Sequence, residues 1–133
     1  MDGSEIILLH VHRMVEPFYI EEFSYLDPKL TNEFSEAYRD KALSKLRELA
    51  GKYFHGQNVR CEAVISLLAG AADEICNFAK KEKCDVIIMG SRGHTVLGSL
   101  FVGSVAQRVL LLSSCPVLIV PPLKKASEGE KKK

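Results

Sequence analysis

Apolar and polar positions along the chain alternate between two periods, and each change of period marks an element. Glu5 to Val11, EIILLHV, is an apolar run of strand length without polar alternation, which predicts an interior strand covered on both faces. Residues 12–27 hold Pro17, Phe18, Tyr19, Phe23 and Tyr25 with no clear period and read as an ordered loop. Asp27-Pro28 then supplies an N-cap followed by proline in the first turn. Leu30, Phe34, Tyr38, Ala42, Leu46, Leu49 and Tyr53 recur at helical spacing, so a long amphipathic helix is expected up to Gly51–Gly56.

Val59, Cys61, Ala63 and Ile65 alternate with Arg60, Glu62 and Ser66, the pattern of an edge strand with one wetter face. Ala71, Ala72, Ile75, Phe78 and Ala79 predict a second helix, with Asp73 and Glu74 in its first turn, where the helix dipole favours negative charge. DVIIMG, 85–90, reads as a fully apolar central strand. A third helix follows from Ser104, read as its N-cap, to Leu112, and PVLIV, 116–120, closes the series as a strand. Helices between short apolar strands mean β-α-β units on a parallel sheet. One domain over 1–123 and a charged, disordered tail over 124–133 are expected.

Composition narrows the function classes. The 133 residues carry a formal net charge of +1, so no global field draws the chain to nucleic acid or to an anionic membrane. Cys61, Cys76, Cys84 and Cys115 show neither a C-x-x-C pair nor metal-ligand spacing, which points to reduced thiols packed as small hydrophobes. No apolar run approaches a membrane span and the N-terminus lacks a signal-peptide layout, so a cytoplasmic location is expected. His10 and His12 share a strand face, but no third ligand accompanies them, and a packed or rim position is the expected role.

The chemistry concentrates in MGSRGHTVLGSLFVGSVAQ, 89–107, which has four glycines and three serines. It runs from the end of a predicted strand to the start of a helix, the sheet edge where ligands of α/β proteins sit. Glycine lets backbone N–H groups approach an anion, and a helix start adds donors with a partial positive charge. A phosphate suits this arrangement best. The spacing is neither that of a P-loop nor G-x-G-x-x-G. No Ser/His/Asp set or carboxylate pair stands out, and the segment has no lysine to neutralise a transferring phosphoryl group.

DVIIMGSRG, nine residues from His94 to Val102, and then Gly103-Ser104 resemble the G-x2-G-x9-G-[S/T] motif of the universal stress protein family. IILLHV and CPVLIVPP are similar to that family's second and last strands, and the resemblance extends from about Glu5 to Pro122. It implies a parallel-sheet, three-layer α/β/α sandwich of order 3-2-1-4-5 that binds ATP, with Mg or Mn carried on the phosphates. It also implies a homodimer through the last strand, here 116–121, and at most slow ATP hydrolysis or autophosphorylation. By position, Gly90, Gly93, Gly103 and Ser104 would hold phosphates and ribose. Ser91, Arg92, His94 and Val105 would lie alongside, and Val11 and Met89 would border the adenine.

One departure stands out: only MDGS precedes EIILLHV, where family members have a strand and a helix. The first β-α unit is therefore expected to be missing or shortened. Either strands 5–11 and 85–90 pair directly or with another chain between them, or residues are absent between Ser4 and Glu5. Two function classes stay open: an adenine-nucleotide-binding stress-response switch, and a nucleotide-independent dimeric scaffold of the same fold.

Overall fold

The computed structural model describes residues 3–13, 28–66, 69–91 and 102–122, with side chains for all of these except 13 and 28–34. Strands and helices alternate: β1 (Ile6–Arg13), α1 (Pro28–Tyr53), β2 (Val59–Ser66), α2 (Ala71–Lys81), β3 (Ile87–Gly90), α3 (Ser104–Leu112) and β4 (Val117–Val120). Of the expected loop 12–27, His12 and Arg13 instead extend β1, because their backbone continues the ladder to Ile65 and Ser66; residues 14–27 and the tail 124–133 lie outside the described residues. The chain divides into two compact units, Met1–Glu74 and Ile75–Lys133.

In the first unit β1 and β2 pair in parallel over their whole lengths, from Ile6 opposite Val59 to Arg13 opposite Ser66. A further bond, Ile6 N–H to Asn58 O at 2.8 Å, extends the ladder. Helix α1 is the crossover that a parallel pair requires, and it packs on both strands. It begins at Pro28, whose fixed φ and missing N–H suit a first turn. The turn into β2 contains Gly56 at φ +73, a left-handed conformation that glycine adopts without penalty.

Two expectations from periodicity are corrected here. Tyr53, counted on the inner stripe of α1, is exposed, with the Lys52 ammonium 5.2 Å from its ring centre; it is the last helical residue and lies beyond the covered turns. Ser66, placed on the wetter face of β2, is buried. Its hydroxyl donates to Ala69 O at 2.6 Å, which meets the requirement for a partner on burial.

In the second unit β3 and β4 pair in parallel, Ile87 opposite Val117 to Gly90 opposite Val120. Bonds from Ile87 N–H to Pro116 O and from Ser91 N–H to Val120 O extend the ladder at both ends. Val109 of α3 is fully buried and Ala79 and Ala106 nearly so. The end of α2 is a Schellman motif, with Cys84 N–H to Ala79 O at 2.9 Å and Lys83 N–H to Lys80 O at 3.2 Å. Lys83 takes the left-handed position, φ 54, where glycine is usual.

The uninterrupted apolar runs predicted burial on both strand faces, and the structure departs from this. Ile87, Met89, Val117 and Ile119 are half-buried, whereas Ile88 is 65% and Leu118 54% exposed. Residues 6–12 of β1 are likewise half-buried throughout. A run without polar alternation records that neither face is built for water, but cover depends on which elements lie on each face. The described ladders are β1 with β2 and β3 with β4, and a direct pairing of 5–11 with 85–90 is not among them.

Candidate functional site

β3 ends at Gly90, and the next residue, Ser91, makes the turn that shapes the site. Its N–H stays in the ladder to Val120 O at 3.0 Å. Its carbonyl accepts the N–H of Gly103 at 2.6 Å, and Ser91 itself is 8% exposed. This clasp joins two backbone points twelve positions apart and fixes where the chain leaves the sheet and where it re-enters at α3. Gly90, Ser91, Gly103, Ser104 and Val105 are thereby gathered at one end of the β3–β4 ladder. A second tie comes from Gln107, whose side-chain Nε2 donates to Val102 O. Nothing in the type or spacing of Gln107 marks it in the sequence.

The helix start differs from expectation in one respect. Gly103, not Ser104, is the N-cap of α3, at φ −59 and ψ 158. Its carbonyl accepts the first helical bond, from Gln107 N–H at 3.0 Å. Ser104 is the first helical residue, and no side chain caps the helix. The reason is the clasp: with Gly103 N–H held by Ser91 O, extended backbone ends at Gly103 and the helix begins one residue later. An α-helix provides no internal acceptor for the N–H groups of its first turn, here beginning with Ser104, Val105 and Ala106.

Electrostatics separate α3 from α2. The first turn of α2 carries Asp73 and Glu74, which answer its positive end. The first turn of α3 carries no acidic residue, and the segment 91–103 contains no aspartate or glutamate. Bare glycine at the cap, first-turn N–H groups without internal acceptors, and no acidic residue in that turn or in 91–103 fit a phosphate. A phosphate could be held there by backbone at Gly103–Ala106, with the Ser104 hydroxyl adjacent.

The other expected site residues are placed as follows. Met89 is half-buried in β3, opposite Ile119. Val11 is half-buried in β1, opposite Val64, and belongs to the first unit. Arg92, Gly93 and His94 lie outside the described residues. His10 and His12 form an aromatic group with Tyr38, the His12 and Tyr38 rings 3.9 Å apart and near parallel. The four cysteines, all described, are half-buried, and no disulfide joins them. Among the described residues no helix is long and apolar enough to cross a membrane.

Comparison with known proteins gives the family and the fold. The sequence model of the universal stress protein family matches residues 1–121, and the chain belongs to that family. It is 38% identical over 98 residues to universal stress protein MJ0531 of Methanocaldococcus jannaschii, which covers 73% of this chain and 54% of that protein. A universal stress protein of Thermus aquaticus is 30% identical over 118 residues, covering 89% of this chain and 78% of its own. The chain thus spans about half of the first relative and about four fifths of the second. Among solved structures, MJ0577 of M. jannaschii superposes with a TM-score of 0.69 at 32% identity, covering 92% of this chain and 78% of that one. PH0823 superposes with 0.67 at 31% identity, covering 95% and 81%. The fold is therefore the α/β fold of universal stress proteins.

Proposed function

We propose that this universal stress protein binds an adenine nucleotide, with ATP as the expected ligand, and acts as a dimeric switch in a stress response. The observation that carries this reading is the start of α3, where a glycine cap held by Ser91 O leaves first-turn N–H groups without internal acceptors and no acidic residue stands in that turn. A polyanion bound there is favoured by directed N–H donors and by the helix dipole together. Ser91, just after β3, and Gly103, the cap of α3, flank segment 92–102, so occupancy is expected to change the surface that this segment offers to a partner protein. Mg or Mn would ride on the phosphates. Binding is favoured over rapid turnover, because segment 91–103 supplies no lysine and no acidic base.

Dimer formation is proposed through 116–121. β4 is paired with β3 on one side and carries the exposed apolar residues Leu118 and Val120, and such an edge pairs readily with a copy of itself. The decisive experiment is to denature freshly purified protein and analyse the released small molecules by ion-exchange chromatography. Close to one adenine nucleotide per chain is expected. Absence of nucleotide, together with no heat of ATP binding by calorimetry, would replace this reading with the nucleotide-independent scaffold.

A further inference from the structure

We propose that the first unit holds a second small-molecule site, a pocket between β1 and α1 that takes an anionic amphiphile: an apolar ring or short acyl chain bearing one carboxylate or phosphate. The cavity measures about 370 Å³, at the lower end of the range for small-molecule pockets. Ala42, Leu46 and Leu49 line it with apolar surface, and His10 and Tyr38 add aromatic surface. Tyr38 is stacked on His12 at 3.9 Å and lies 6.5 Å from His10, so its ring is held in place for an apolar body to lie against.

The charge comes from Lys41 and Lys45, which also line the cavity. They stand four apart on α1, an arrangement in which like charges destabilise a helix. Lys41 has no carboxylate three or four positions away, and Lys45 has only Glu48. Among the described residues neither lysine makes an ion pair. Two ammonium groups that pair with no carboxylate among the described residues, beside an apolar cavity, complement a ligand with one anionic end and one apolar end. An entirely apolar ligand would leave them unanswered, and a polyphosphate would leave the apolar surface unused. Within the first unit the pocket is distinct from the face expected to border the adenine, because successive residues of a strand face opposite sides. His10 faces this cavity, and Val11, the residue expected near the adenine, faces away from it.

The test uses the full chain, with octanoate as probe and octanol as its uncharged counterpart, followed by calorimetry and by amide NMR shifts at Tyr38 and Lys41. Octanoate should bind at one saturable site and about fivefold more tightly than octanol, a modest factor because the lysines are solvent-exposed. Lys41→Gln/Lys45→Gln replaces good helix formers by another, so the helix should persist by circular dichroism while octanoate falls to the level of octanol. Raising the salt to about 1 M should have the same effect through screening. Ala42→Leu, which fills the cavity, should weaken both probes. Equal binding of the two probes would overturn the proposal. So would octanoate binding that survives the double substitution, or no saturation up to about 10 mM. A double substitution that changes self-association and leaves octanoate untouched would assign the pocket to a second copy and overturn it as well.

Discussion

Gly103→Val separates phosphate binding from fold stability, and the structure sets both magnitudes. The backbone at Gly103, φ −59 and ψ 158, is open to any residue, so valine introduces no backbone strain. The N–H to Ser91 O survives the substitution, since valine keeps its backbone donor. A β-branched N-cap in place of glycine costs about 0.5–1 kcal/mol. Loss of glycine's freedom in the unfolded chain returns about 0.4–1 kcal/mol. The two nearly cancel, and Tm should stay within about 3 °C of the parent. Nucleotide binding should respond very differently. An isopropyl group beside the open first-turn N–H groups keeps phosphate oxygens away from at least two donors. Each hydrogen bond to a charged group contributes about 1.5–3 kcal/mol, so ATP affinity should drop by at least about a hundredfold. Ser104→Ala is the companion variant. Because Ser104 makes no capping bond, its loss should leave stability nearly unchanged and weaken ATP by one hydrogen bond to a charged group, at least about tenfold. Calorimetric titration with ATP, beside thermal melts followed by circular dichroism, reads both variants. If Gly103→Val binds ATP like the parent while its melt is native, the phosphate cradle is wrong.

Three further outcomes are expected. Lys83→Gly should raise stability by about 0.5–1 kcal/mol in urea unfolding, because Lys83 holds a left-handed φ of 54 at the end of α2 where glycine carries no Cβ penalty; a loss of stability would show that the lysine side chain matters more than its backbone. Val109→Ala should cost about 2 kcal/mol in the same assay, since Val109 is fully buried and its removal leaves a cavity, and a cost under about 0.5 kcal/mol would mean that the surroundings collapse onto the site. Sedimentation at tens of micromolar should find a dimer for the parent and a monomer for Leu118→Lys, whose charge on the exposed side of β4 opposes edge pairing; a monomeric parent would remove the proposed interface.

Much of the chain's organisation was legible in its sequence, because element type follows from local periodicity and local chemistry. Helix α3 spans Ser104–Leu112, the limits its pattern predicts, and α2 carries Asp73 and Glu74 in its first turn as expected. β2 keeps its eight residues, and β3 and β4 are shorter than their apolar runs by one or two residues at the start. The glycine and serine spacing of 90–104 also pointed to the candidate site, since a motif of bare backbone can be recognised without coordinates. What periodicity could not decide was anything that depends on a residue distant in sequence. Ser66 alternates as a wet position, yet it is buried and bonded to Ala69 O. Ile88 sits in an unbroken apolar run, yet it is exposed, because cover is supplied by other elements and not by the run itself. The N-cap moved from Ser104 to Gly103 because a carbonyl twelve residues earlier takes the Gly103 N–H. The pocket of Lys41 and Lys45 requires α1 to lie against β1 beside His10. Local sequence sets the intrinsic preference of each segment. Only tertiary contact determines which backbone groups are already satisfied, which faces are covered, and which charges are left to meet a ligand.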